Sequence, residues 1–158
     1  MKRCGLIAIS IAVMDQLIKM YVRRFPVGQV FCEIGGLLSL EYCINTGAAF
    51  SVFSGHSVLI LLVSVALLAS IFLFIGRKLR LTVASRLALA CLLGGGMGNL
   101  IDRLLYLGVT DYIRLRFIDF PVFNLADIAI VSSIIVLLIL LFTDTLEETV
   151  EERHGTNG

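Results

Sequence analysis

The chain has 158 residues and a formal net charge of +1; 58% of it is hydrophobic and its mean hydropathy is +0.98. That is one domain's worth of chain, too apolar for an ordinary soluble domain and lacking the positive excess of a nucleic-acid binder. The cysteines at 4, 32, 43 and 91 have neither CxxC spacing nor a histidine partner, which argues against a zinc site.

The first apolar run, Cys4 to Val22, follows Lys2 and Arg3 and meets the length a membrane span needs. Asp15 and Lys19 interrupt it, and no small-x-small cleavage site follows, so a retained helix is expected rather than a signal peptide. The acid stands four residues before the base, the favourable order for an ion pair on one helix face. Two readings stay open: the pair neutralises itself so that the helix can insert, or it belongs to a site.

From Arg23 to Ser57 the chain is not a span, with Pro26, Gly28, Gly35 and Gly36 as turn signals. Leu38, Leu40, Tyr42 and Ile44 alternate with Ser39, Glu41 and Cys43. This period of two predicts a strand with one apolar face, in a small sheet on the membrane surface. Cys32 and Cys43 share the segment and could pair on an oxidising side. The stretch Asn45-Thr46-Gly47-Ala48-Ala49-Phe50 reads by residue type alone as an ordinary loop.

Val58 to Ile75 is uninterrupted and apolar, a second span. Arg77, Lys78 and Arg80 make a short loop, so the next helix, about Thr82 to Leu107, returns antiparallel. Ala90, Gly94 and Gly98 recur every four residues, with Gly95 and Gly96 between, which allows close backbone approach. Packing within the chain is preferred to a dimer face. Asn99 and Arg103 share a face at the far end. Arg103 needs an acid or carbonyl partner, such as Asp111 or a substrate backbone. Asp102 is expected to point elsewhere and take no part.

Gly108 to Pro121 reads as a second extramembrane connection, Val122 to Thr143 as the last helix, and 144–158 as an acidic, disordered tail. The expected fold class is an all-α membrane protein. Four transmembrane helices (about 4–22, 58–75, 82–107 and 122–143) form one domain over 1–143, with a small extramembrane β element between the first and second. Lys2, Arg3, Arg77, Lys78, Arg80, Arg86 and Arg153 would lie on the terminal side, against Arg23, Arg24, Arg114 and Arg116 on the other. This bias favours cytoplasmic termini and puts Asp111 and Asp127 towards the outer face.

Singly, Asp111 suits a turn and Asp127 the first turn of a helix. Asn124 suits the N-cap itself, which leaves Asp127 without that role. Two acids at facing helix ends could share a proton and a water, the chemistry of an aspartyl protease. The alternatives are a small proton-coupled transporter and a non-catalytic membrane subunit. A transporter calls for acids near the midplane and broken helices; these acids lie near one interface and the second span is unbroken.

Five segments occur in order: Asp15-Gln16-Leu17-Ile18-Lys19, Asn45 to Phe50, Gly98-Asn99-Leu100-Ile101-Asp102-Arg103, Val109-Thr110-Asp111-Tyr112 and Phe123-Asn124-Leu125-Ala126-Asp127. Together they resemble the lipoprotein signal peptidases, the bacterial signal peptidase II family. The resemblance implies an aspartyl endopeptidase of the bacterial inner membrane. Such an enzyme cleaves diacylglyceryl-modified prolipoproteins just before the lipidated cysteine and is inhibited by globomycin. It implies catalytic roles for Asp111 and Asp127. It puts Asp15, Lys19, Asn45, Gly47, Asn99, Arg103, Asn124 and Ala126 among substrate-binding or site-supporting positions. The expected partners are the diacylated substrate and membrane lipid, with no nucleic acid, metal or cofactor, and the chain acting as a monomer. Two departures stand out: Tyr112 where phenylalanine is usual, and a short connection from Asp111 to Asp127.

Overall fold

A computed structural model describes residues 2–47, 57–76 and 81–143. Ala48 to Phe50, the basic loop Arg77, Lys78 and Arg80, and the 144–158 tail lie outside the described residues. Among the described residues there are four helices: α1 (Lys2–Val22), α2 (Ser57–Gly76), α3 (Val83–Tyr106) and α4 (Leu125–Phe142). Three stretches, Arg3–Val22, Val83–Tyr106 and Leu125–Phe142, are long and apolar enough to cross a membrane, and α2 carries the apolar stretch Val58–Leu73. Its serines bond backward along the helix, Ser64 to Ile60 O and Ser70 to Ala66 O, so both hydroxyls are satisfied within it.

α3 is the central helix, packed against α1, α2 and α4. Its glycines decide how close the others come. A Cβ on Gly94 would lie 2.6 Å from Ala8 O, and one on Gly98 2.5 Å from Asp15 Oδ2, both on α1. One on Gly95 would lie 2.6 Å from Ala126 O on α4, and one on Gly96 2.5 Å from Leu68 Cδ2 on α2. Successive residues turn about 100° around a helix, so one short run serves three neighbours. The small residues therefore pack the chain against itself.

On α1 the buried positions are Ala8, Ala12, Asp15, Lys19 and Val22. Their alternating spacing of four and three makes one seam. The rest of the helix turns Leu6, Ile9, Val13, Leu17 and Met20 outward. Apolar surface outside and polar groups inside is the arrangement lipid favours.

Outside the helices lies a three-stranded antiparallel sheet, ordered β1 (Val30–Ile34), β2 (Leu38–Asn45) and β3 (Val109–Leu115). Gly35 and Gly36 both have positive φ, as a type I′ hairpin turn requires, and Leu37 N closes it on Ile34 O at 3.1 Å. Two expectations are corrected here. The β element is not confined to the connection between the first two helices, because its third strand comes from Gly108 to Pro121. Val-Thr-Asp-Tyr-Ile-Arg-Leu mixes polar and apolar residues on both faces, so no alternation marks it as a strand. The apolar face of β2 is also not its covered face. Ser39 and Glu41 are buried, whereas Ile44 is exposed, as are Val30, Ile34 and Leu37 elsewhere in the hairpin. The polar groups turn inward, where Glu41 accepts from Arg114 Nε at 2.7 Å, and the apolar ones turn outward.

α4 begins at Leu125, not at Val122. Phe123 is held in an isolated bridge to Ile113, and Asn124 is extended and caps the helix.

Candidate active site

Asp111 is carried by β3, opposite Cys43 of β2. Asp127 is the third residue of α4, in a capping box with Asn124. Asn124 Oδ1 accepts from Asp127 N at 2.9 Å, and Asp127 Oδ2 accepts from Asn124 N at 3.2 Å. Asp127 thus shares the capping role that sequence reasoning gave to Asn124 alone. Its second oxygen, Oδ1, is free of the cap and accepts from Asn99 Nδ2 at 2.7 Å.

Both acids line one cavity of about 540 Å³, together with Asn45, Asn99 and Arg103. Its other wall is apolar, formed by Phe120 to Phe123 and by Ile128 and Val131 of α4. Asp111 is buried and accepts from Asn45 Nδ2 at 3.0 Å and Asn124 Nδ2 at 2.6 Å. Burial pushes its carboxyl up to about 7, and the charge of Asp127 adds to the rise against these two hydrogen bonds. A carboxyl in that range exchanges its proton near neutral pH.

The other expected site residues fall around this pair. Gly47 N donates to Asn45 Oδ1 at 2.9 Å, an Asx-type turn that orients the carboxamide. Lys19 bridges Asp15 Oδ2 and Asn99 Oδ1, each at 2.8 Å, and is itself fully buried. Asp15 Oδ1 accepts from Ala126 N at 3.1 Å, so α1 also holds the first turn of α4. Arg103 lines the cavity; it donates to Asn99 O at 3.5 Å, and among the described residues it forms no ion pair.

Asp102 does point away from Arg103 and is absent from the cavity lining, but it is not idle. It is fully buried, its Oδ1 accepting from Gln16 Nε2 at 2.9 Å and Arg23 Nη2 at 2.5 Å, its Oδ2 from Thr110 N at 2.8 Å. Arg23 Nε also reaches Thr110 Oγ1 at 2.9 Å, and its guanidinium lies over the Tyr106 ring. Asp102 thereby fixes the residue next to Asp111. The rotation that carries it away from Asn99 puts it in line with Gly94 and Gly98, the face turned to α1. That spacing of four was the available signal. Tyr112, which stands where phenylalanine is usual, puts its hydroxyl to use: it accepts from Leu125 N at 3.1 Å, satisfying a free N–H at the start of α4. Burial raises the phenol to about 12. Cys32 and Cys43 do not pair; all four cysteines are free. Burial and the neighbouring Glu41 push the Cys43 thiol up to about 11.

Residues 7–143 match the family described as Signal peptidase (SPase) II. The chain belongs to the signal peptidase II family. A lipoprotein signal peptidase of Synechocystis sp. is 39% identical over 134 residues, 84% of this chain and 83% of the relative. One from Streptococcus pyogenes serotype M1 is 35% identical over 137 residues, 86% of this chain and 90% of the relative. A bacterial membrane enzyme solved by the in meso method at 2.3 Å resolution superposes with a TM-score of 0.86 at 28% identity, covering 95% of each chain. A second, solved by the same method at 1.9 Å, gives 0.82 at 28% identity, covering 92% of this chain and 96% of its own. The chain is therefore a membrane peptidase of the signal peptidase II family, and the transporter alternative has no support.

Proposed function

We propose that this chain is an aspartic endopeptidase that removes the signal peptide from diacylglyceryl-modified prolipoproteins, cutting just before the lipidated cysteine. The observation that carries the reading is that Asp111 and Asp127 line one cavity whose neighbouring amides all donate to them. The family match and the relatives' name, lipoprotein signal peptidase, supply the substrate class.

Two close carboxylates hold one proton between them. The ionised one takes a proton from water; the protonated one polarises the scissile carbonyl and then protonates the departing amine. Arg103, with donors to spare and a place on the cavity wall, holds substrate carbonyls or the developing oxyanion. Ile128 and Val131 offer the lipid side of the substrate an apolar surface continuous with the bilayer.

The accompanying topology has four spans. α2, at 20 residues, is about 30 Å long, enough to cross with the other three. Residues 1–143 form the membrane domain, followed by an acidic polar tail. The termini are cytoplasmic and the dyad faces the outer side of a bacterial inner membrane. The chain works as a monomer and is blocked by globomycin. The test is cleavage of a synthetic diacylated prolipopeptide by the purified protein. Asp111→Asn and Asp127→Asn should each abolish turnover, and the double variant should be scarcely worse than either. A folded single variant that cleaves at near-parental rate would overturn the mechanism.

A further inference from the structure

Three carboxamides surround the proposed dyad, and each presents its NH2 to a carboxylate. An amide can turn over and exchange its oxygen and nitrogen, so the direction of each must be fixed by something. Asn45 is fixed by Gly47 N and Asn124 by Asp127 N, backbone donors within three residues in sequence. Asn99 has no such local lock. It lies inside α3, where backbone N–H groups are used by the helix itself.

Its lock comes from another helix. Lys19 Nζ, a group with donors and no acceptor, meets Asn99 Oδ1 at 2.8 Å. Asn124 Nδ2 reaches the same oxygen at the longer distance of 3.2 Å, but its closest contact is Asp111 Oδ1 at 2.6 Å. A reversed Asn99 would face an ammonium with its NH2 and the Asp127 carboxylate with its oxygen, two repulsive contacts in a buried site. Lys19 is itself held by Asp15 at 2.8 Å, with Asp102 at 3.7 Å.

We propose that Lys19 is a positioning residue: it fixes the direction of the Asn99 carboxamide, which then donates to Asp127 and keeps that carboxylate an acceptor. The Asp15–Lys19 pair is then part of the site's frame and not only a neutralising device for insertion. Each of the four carboxylate oxygens of the dyad accepts one N–H, which leaves the second lone pair of each for the shared proton. The charged groups around this point are Asp111 of β3, Arg103 and Asp102 of α3, and Asp15 and Lys19 of α1. The inference rests on the reading of Asp111 and Asp127 as the dyad.

The test uses the full chain in lipid nanodiscs, with cleavage of a diacylated prolipopeptide expressed per folded molecule. Lys19→Gln keeps a polar partner for Asp15 but can accept as well as donate, so the lock is lost. It should lower kcat roughly tenfold, the kinetic equivalent of one ordinary hydrogen bond, and leave KM within about twofold. Lys19→Arg, again a donor-only cation, should recover most of the rate. Lys19→Gln combined with Asn99→Leu should be no slower than Asn99→Leu alone, because the lysine acts through the asparagine. A kcat for Lys19→Gln within about twofold of the parent, or losses that multiply in the double variant, overturns the proposal. A second readout needs no turnover: in 15N-asparagine-labelled protein the Asn99 side-chain amide should respond to pH through the titration of the dyad. It should lose that response in Lys19→Gln. An amide signal that titrates identically in both proteins overturns the lock. A parent that shows the amide response but no cleavage would instead fail the functional reading and leave the lock standing.

Discussion

Replacing Asp111 by asparagine should make the protein inactive, yet more stable than the parent at alkaline pH and less stable in acid. The carboxyl rises from an ordinary 3.8 to about 7 in the folded state, through burial first and then the charge of Asp127. A carboxyl with a raised folded pKa binds its proton more tightly when folded. Its contribution is therefore most favourable below the unfolded value and is lost as pH climbs towards the folded one. At about 1.36 kcal/mol per unit, the penalty grows from under 1 kcal/mol near pH 4 to about 4 kcal/mol by pH 8. Asparagine carries no such penalty. It keeps an acceptor for Asn124 but turns an NH2 towards the NH2 of Asn45. That mismatch costs about 1–3 kcal/mol at any pH. The variant should therefore unfold more easily than the parent at pH 4 and less easily at pH 8, with the stability curves crossing in between. Unfolding in micelles by heat or SDS, followed by circular dichroism at both pH values, measures the two differences. Parallel stability curves would refute the reasoning, since they would mean that the Asp111 carboxyl titrates alike in the folded and unfolded chain.

Asp102→Ala should lower stability by about 3–5 kcal/mol, since it takes the acid from Arg23, leaves Thr110 N unsatisfied and leaves Lys19 with Asp15 alone; thermal unfolding of the purified variant reads this. Gly95→Ala and Gly96→Ala should differ although they are neighbours. The first drives a methyl against the Ala126 backbone and should cost about 1–3 kcal/mol, whereas the second meets only the end of the Leu68 side chain and should cost less than about 1 kcal/mol. Single cysteines introduced at Gln29 and Arg114 in a cysteine-free background should be labelled from outside the cell and one at Lys78 should not; the opposite pattern would invert the topology.

The helices were legible because an apolar run of about 20 residues has no other stable use than a span or a buried helix. Asp111 and Asp127, which line one cavity, were singled out because a charge beside such a run demands a reason. Asp15 and Lys19 were read as a pair because four residues bring two side chains to one helix face. Each of these arguments is local and needs only the period of a helix or the polarity of a residue.

The remaining features depend on what comes to lie opposite. β3 joins the sheet because β2, far away in sequence, supplies its partner, and the strand's own mixed pattern carries no trace of that. Ser39 and Glu41 are buried while Ile44 is exposed, and Glu41 meets its partner Arg114 on β3, so alternation alone did not say which face is covered. The direction of Asp102 could be read from its own helix but not what it would meet; its partners sit on α1, just past its end and on β3, where only packing brings them. The direction of Asn99 belongs to the same class. Its two ends are nearly equivalent as chemistry, and what distinguishes them is an ammonium from α1 on one side and a carboxylate from α4 on the other. Residue type could nominate the members of the site, but which atom of each faces which was decided by three helices and two strands meeting at one end of the bundle.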